Sequence, residues 1–371
     1  MIIGIDASRA NEEKKTGVGW YAYHVLQEMK KITPDNIRVV LYTNKSLQGG
    51  LADLPENWEE KVLGWKPGRL WTQFRLSWEM MWHAPDVLFI PAHVFPIIHP
   101  KKTVMTLHDI AAVRFPEAYN WFEKWYTLWS GRVAIKKLWK VITISEFTKS
   151  ELEKEFGNSN NVKVIHLGYS KGYFEIKDET KIKEVLKKYD IEQPYIFSIG
   201  RIETKKNTVN IIKAFNIVKS RNPQSSICNL QLVLVGQPGF GFEKVREEIN
   251  NSSHKDNIKE LGWVKNDDLP ILMNGAEVFV FPSLYEGFGI PVLEAHACGI
   301  PVVTAKGSSL EEVGRDACVY VDPKDVDEIV ENVINFQDEG FKKQFIEKGL
   351  ENVKRFSWEK CAKQTLDVLL G

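Results

Sequence analysis

Short apolar runs recur along this chain, and between them the apolar positions fall at helical spacing. Ile2–Asp6, Arg38–Thr43, Val87–Ile90, Thr103–Leu107 and Val141–Ile144 have the length and apolar character of strands, and Val18–Lys30 has the spacing of a helix. The pattern then restarts. Tyr195–Ile199, Gln231–Val235, Ile258–Leu261, Val278–Phe281, Pro301–Thr304 and Val319–Val321 read as strands, and Asn207–Arg221 as an amphipathic helix. Strands alternating with helices predict an α/β fold with a parallel, doubly wound sheet, here built twice. The polar, Lys- and Glu-rich stretch between Gly168 and Pro194 marks the boundary and gives domains of 1–175 and 176–355. Ligands of such sheets bind outside the carboxyl ends of the strands. With two of them, the expected site is a cleft where those ends face each other.

The 371 residues are 43% hydrophobic and 26% charged, ordinary for a globular chain that needs no disulfide or metal to hold its core. Cys228, Cys298, Cys318 and Cys361 are scattered, which argues against a disulfide framework or a zinc site and suits a reducing compartment. The apolar run at Met1–Asp6 is too short for a signal peptide, and no stretch reaches the ~18 apolar residues of a membrane span. The expected location is the cytoplasm or the cytoplasmic face of a membrane. Basic and acidic residues number 49 each, so bulk charge gives no reason to expect nucleic acid as a partner. The tryptophans are less even, ten of the twelve lying before residue 140. Trp121, Trp125 and Trp129 share one helical stripe, with Lys136, Lys137 and Lys140 after them, and Arg69–Trp78 mixes aromatics with arginines in the same way. Two readings stay open: a core-facing stripe, or an interfacial face that meets a membrane or a lipid-linked partner.

The segment with most chemistry runs from Phe281 to Gly299, through Glu286-Gly287-Phe288-Gly289-Ile290-Pro291 to Glu294. A strand ends at Phe281, a glycine loop follows, Pro291 suits the first turn of a helix and Gly299 its stop. The positive end of that helix favours an anion, and the glycines admit close approach of main chain to a ligand. Glu286 and Glu294 are better suited to accept hydrogen bonds from hydroxyls, such as those of a sugar and a ribose, than to face a phosphate.

This segment resembles the E-x7-E signature of the retaining glycosyltransferases of family 4, which have the GT-B fold of two Rossmann-like domains. Three further segments fit that family in the same order. Gly200-Arg201-Ile202-Glu203-Thr204-Lys205-Lys206-Asn207 follows a strand, and the resemblance assigns Arg201 and Lys206 to a donor diphosphate, where cations offset the charge that builds on the leaving group. Thr16-Gly17-Val18-Gly19 opens the first helix, and the family's counterpart loop approaches the donor. Gly17, Gly19 and Ala22 also spell a dinucleotide fingerprint, but ten residues separate them from the first strand and the second strand ends without a ribose-binding acid. Thr106-Leu107-His108-Asp109 places His108 near the transferred sugar and the acceptor. Leu261-Gly262-Trp263-Val264 resembles the loop that meets the nucleobase, through Val264, and Ser145-Glu146 is a further candidate for lining the site. Residues 356–371 resemble a closing helix that returns to the N-terminal domain.

The resemblance implies a hexosyltransferase, with His108 and Glu286 as catalytic residues. Gly17, Gly19, Arg201, Lys206, Val264, Gly287, Phe288, Gly289, Ile290, Pro291 and Glu294 would hold a nucleotide-sugar donor, mainly on the C-terminal domain, with a glycan or lipid-linked acceptor on the N-terminal one. GDP-mannose is the favoured donor, because the style of the N-terminal segment resembles mannosyltransferases of surface-polysaccharide assembly; UDP- and dTDP-sugars remain alternatives. No cofactor and no metal are expected. The one Asp-x-Asp triplet, Asp325-Val326-Asp327, stands where a helix cap and first-turn acids belong. A nucleotide-sugar epimerase, and a binding protein without turnover, are rival readings of the same residues.

Overall fold

The computed structural model describes residues 1–66, 70–157, 160–221 and 229–371; Arg69 and Cys228 lie outside the described residues. The first sheet contains β1 (Ile2–Asp6), β2 (Arg38–Thr43), β3 (Trp58–Val62), β4 (Val87–Ile90), β5 (Thr103–Leu107), β6 (Lys140–Thr143) and β7 (Val162–Val164), in the order β3-β2-β1-β4-β5-β6-β7. The second contains β8 (Tyr195–Ile199), β9 (Gln231–Val235), β10 (Ile258–Gly262), β11 (Val278–Phe281), β12 (Val302–Ala305) and β13 (Val319–Val321), in the order β10-β9-β8-β11-β12-β13. Every pairing is parallel. Central strands such as β4, β5 and β11 are buried along their whole length, which is why they are continuous apolar runs.

Two strands have no counterpart among the sequence expectations. Both are sheet edges: Trp58-Glu59-Glu60-Lys61-Val62 keeps charged side chains at the surface, and Val162-Lys163-Val164 is only three residues long. An edge strand needs no apolar run, since one side of it faces solvent.

The chain divides into Met1–Gly168 with Phe356–Gly371 as one unit, and Tyr169–Arg355 as the other. The expected boundary at 175/176 shifts to 168/169 because the intervening residues are fastened to the second unit. The Ile176 N–H donates to Asn274 Oδ1 (2.7 Å), Asn274 Nδ2 donates to the Phe174 carbonyl (3.0 Å), and Tyr173 is buried.

The last helix, Trp358–Leu370, packs on the helix Gly17–Ile32 of the first unit. Ser357 caps it, accepting from the Lys360 N–H at 3.1 Å. Its buried face is Trp358, Cys361, Ala362, Thr365, Leu366 and Leu369. The Trp358 ring stacks on His24 with centroids 4.9 Å apart, and burial pushes the His24 imidazole down to about 4. Gly168 is required where the chain passes this helix: a Cβ there would stand 2.2 Å from the Trp358 backbone nitrogen.

The tryptophan stripe does not face the core. The helix Trp121–Lys137 starts with a capping box between Asn120 and Glu123, and Trp121 and Trp125 are 79% and 54% exposed. Trp129 is half-buried, stacked between Trp125 and Phe95. Among the described residues no helix is long and apolar enough to cross a membrane.

Trp358→Ala should cost about 3–5 kcal/mol, the range for removing a buried indole, read as a lower urea midpoint. His24 titrates lower folded than unfolded, so its contribution to stability is lost as pH falls from 6.5 toward 4. In the variant the His24 pKa, followed by NMR, should climb back toward 6.5 and that part of the acid slope should shrink. An unchanged imidazole titration would show that Trp358 does not enclose it.

Candidate active site

In the second sheet the strand order reverses between β8 and β11, which pair directly through Val278–Ile196 and Phe279–Phe197. Such a switch point opens a crevice at the carboxyl ends of the strands. The turn after β8 is Gly200–Asn207 and the loop after β11 is Pro282–Gly289, so both motif segments flank that crevice.

The two segments are stitched together. The Leu284 N–H donates to the Lys205 carbonyl at 2.9 Å. Asn207, at a left-handed φ of 61°, donates from Nδ2 to the carbonyls of Pro282 (3.1 Å) and Pro323 (2.6 Å). Lys206 ion-pairs with Glu286 and lies 4.9 Å from the centroid of the Phe281 ring. Arg201 is mostly exposed, its Nε 3.9 Å from Glu203 Oε2. Lys206 therefore has a fixed position, while Arg201 is a long arm at the surface.

Backbone geometry explains the glycines. Gly289 precedes the helix Ile290–Ala297 with a φ of 108°, and a Cβ there would meet Leu310 at 2.5 Å. Gly236, after β9, crosses Gly200 so closely that a Cβ would fall 1.8 Å from its carbonyl oxygen. The Gly236 N–H in turn donates to the Gly262 carbonyl (2.9 Å). Three glycine turns thus link the end of β10 to the Arg201–Lys206 turn.

Glu286 sits in a loop that Ser309 clamps, its hydroxyl 2.8 Å from the Glu286 carbonyl and 2.9 Å from that of Phe288. Gly287, Phe288 and Gly289 are buried, Ile290 and Pro291 half-buried, and Val264 is core. At Phe288 and Val264 it is therefore main chain, not side chain, that can reach a ligand. Glu294, one turn into the helix, keeps part of its surface accessible, and its carboxyl has no hydrogen-bond or ion-pair partner among the described residues. Burial pushes its carboxyl up to about 8, and the neighbouring Cys298 thiol is raised first by its own burial and then by the Glu294 charge. An acid in this state can donate as well as accept a hydrogen bond at neutral pH. His296, two residues on, is buried; its ring contacts Asn352 Nδ2 (3.2 Å) and Cys318 Sγ (3.4 Å), tying this helix to Glu339–Asn352.

His108, Gly17 and Gly19 belong to the first unit. His108 follows β5, is buried, lies edge-on to Tyr21 with centroids 4.8 Å apart, and its Nε2 is 3.1 Å from the Pro91 carbonyl. Burial pushes its imidazole down to about 4, so it is neutral near pH 7. A Cβ on Gly17 would meet nothing, whereas one on Gly19 would come 2.9 Å from the Arg9 carbonyl, so Gly19 is required by its own chain. Ser145 is fully buried, and its side chain caps the helix Glu146–Phe156. Asp325 likewise caps the helix Val326–Asn335, and Asp327 pairs with Arg221 at 2.9 Å.

The sequence reading did not single out Asn207 as a brace, Ser309 or Tyr173. Asn207 carried one signal, an amide residue at the end of a turn where the left-handed conformation is tolerated. Ser309 and Tyr173 carried none.

Residues 178–352 match the family described as Glycosyl transferases group 1, and residues 15–171 match Glycosyltransferase Family 4. The O-antigen chain mannosyltransferase B of Escherichia coli is 30% identical over 292 residues, which cover 78% of this chain and 74% of that one. Among solved structures, WaaG, a glycosyltransferase involved in lipopolysaccharide biosynthesis, has a TM-score of 0.76 at 15% identity, with both chains covered completely. Anabaena HepE, solved in complex with UDP and glucose, has a TM-score of 0.76 at 17% identity and covers 100% of this chain and 99% of its own. Two parallel α/β domains with these neighbours are the GT-B fold, and the chain belongs to the group 1 glycosyltransferases, in family 4.

Proposed function

We propose that this glycosyltransferase moves a hexose, with mannose from GDP-mannose as the first candidate, from a nucleoside diphosphate to a hydroxyl of a glycan or lipid-linked acceptor. The observation that carries this reading is the contact of Lys206 with Glu286 where the turn after β8 meets the loop after β11, with Arg201 on that turn and Glu294 on the helix that follows the loop. Two cations and the N-terminus of the helix Ile290–Ala297 suit a diphosphate. The unpartnered Glu294 suits ribose hydroxyls, and Glu286 hydroxyls of the sugar. Similarity to a mannosyltransferase supports mannose.

In this reading Arg201, Lys206 and the helix N-terminus supply the positive field, so no divalent ion is required. Neither glutamate is assigned a covalent role, which favours front-face substitution: the bond to the leaving phosphate oxygen breaks, the acceptor oxygen bonds to the same face, and the acceptor proton passes to the leaving phosphate. The anomeric configuration is retained. A neutral His108 orients sugar or acceptor.

A surface of the first unit supports a further part of the proposal, contact with an anionic membrane. Trp78, Trp82, Trp121 and Trp125 are each more than half exposed, and the helix that carries the last two also bears Lys124, Arg132, Lys136 and Lys137 against a single acid, Glu123. Trp129 of this helix stacks on Phe95, with centroids 5.8 Å apart, and three residues on the Ile98 N–H donates to Ser77 Oγ at 3.3 Å, next to Trp78. Tryptophans beside unneutralised cations are suited to a headgroup layer.

A thermal-shift screen of GDP-mannose, UDP-glucose and dTDP-rhamnose should single out one donor, since a ligand at ~100 times its Kd adds ~2.7 kcal/mol. Product formation should survive EDTA, and NMR should show retention; rescue by Mn²⁺ after EDTA, or an inverted product, overturns the mechanism, and conversion of donor without acceptor points to an epimerase.

Arg201→Ala and Lys206→Ala should each weaken nucleoside diphosphate binding about ten-fold or more, the loss of a charge-assisted hydrogen bond. Glu294→Ala should weaken nucleoside binding. Unchanged calorimetric affinity in all three variants removes the site.

The protein should sediment with phosphatidylglycerol vesicles at low salt and less so at high salt, and Trp121→Ser/Trp125→Ser should release it. No binding at low salt refutes the membrane contact.

A further inference from the structure

The Lys206 ammonium has two claims on it. One is Glu286, with which it pairs in a half-buried setting, the two side chains 19% and 12% exposed. The other, on the donor-site reading above, is the diphosphate. We propose that the diphosphate and Glu286 compete for Lys206, and that this competition makes the site prefer intact nucleotide sugar to the nucleoside diphosphate it releases.

The argument is one of charge and partners. A diphosphate that draws Lys206 leaves the Glu286 carboxylate without its counter-ion in a poorly hydrated position, and an uncompensated carboxylate there is costly. An intact donor carries hydroxyls beside the diphosphate, and these can donate to Glu286 in place of the ammonium. A free nucleoside diphosphate brings no sugar to do so. The same carboxylate therefore taxes product binding and spares donor binding, which aids product release.

The geometry lets the exchange occur without rearrangement. Lys206 does not depend on Glu286 for its place: its stem runs over Gly200, where a Cβ would stand 3.2 Å from Lys206 Cε, and its ammonium lies over Phe281. The Glu286 main chain is held separately by Ser309. Each partner can change its bond while its backbone stays where it is.

Glu286→Gln removes the competing charge and keeps the shape. It should bind GDP, or UDP if that is the accepted nucleotide, roughly five-fold more tightly than the unmodified protein, the scale of a partly exposed ion pair. The affinity ratio between GDP and GDP-mannose, or between UDP and UDP-glucose, should narrow. On a Lys206→Ala background the same change should leave nucleotide affinity unaltered. Matched thermal unfolding midpoints establish that the loop is intact. If Glu286→Gln binds the nucleotide no better while Lys206→Ala binds it worse, the competition is refuted and the diphosphate site stands. If Lys206→Ala binds GDP and UDP as the unmodified protein does, the diphosphate site falls as well.

Discussion

One side-chain amide, that of Asn207, braces the ends of three strands. It follows the turn after β8, and its two hydrogens go to carbonyls that follow β11 and β13. Parallel strands leave their carboxyl ends as separate loops, and nothing in the ladder aligns those loops. Here the amide does so, and the left-handed backbone of Asn207 lets its side chain reach both acceptors. With that brace in place, Lys206 meets Glu286 and the Leu284 N–H meets the Lys205 carbonyl. A geometry built on loops is only as fixed as their supports; Asn210, which also donates to the Pro323 carbonyl at 3.0 Å, and Ser309, which donates to the loop after β11, add to this one.

How far the fold was legible depended on burial. The inner strands had to be apolar throughout, so they announced themselves. β3 and β7 lie at edges and leave almost no trace. Of the candidate site, what was legible was the local backbone: the glycine and proline that open the helix at Gly289 and Pro291, and the charged turn Arg201–Lys206. It was not legible where a hydrogen bond joins distant residues: the partners of Asn207 are 75 and 116 positions away, and no local pattern encodes such a pairing. The tryptophan stripe shows the limit of periodicity. Spacing reveals that Trp121, Trp125 and Trp129 share a face, and only the surrounding chain decides that two of them point to water.

The site also leaves a mark on stability. Glu294 has a raised carboxyl, so its proton is held more firmly folded than unfolded, and its contribution declines as pH rises from 4.5 toward 8. His108 and His296 are depressed to about 4 and act in the opposite sense, losing their contribution as pH falls below 6.5. Acid strain comes from imidazoles that must stay neutral, and strain at higher pH from the buried Glu294 carboxyl. The histidines are bonded within the fold, whereas the glutamate is free to bond with something else.

The chain enters the second unit at Tyr169 and leaves it at Arg355, so that unit is an insertion in the first. Order of synthesis then differs from order of completion. A chain emerging from the ribosome presents β1–β7 first, yet the first unit lacks its helix Trp358–Leu370 until the whole second unit has been made. Until then the face of Gly17–Ile32 that receives Trp358, at Tyr21 and His24, stays open. The second unit, contiguous in sequence, can close on its own strands in the meantime. The domain begun first is finished last, and its final helix acts as the latch that records the second unit's passage.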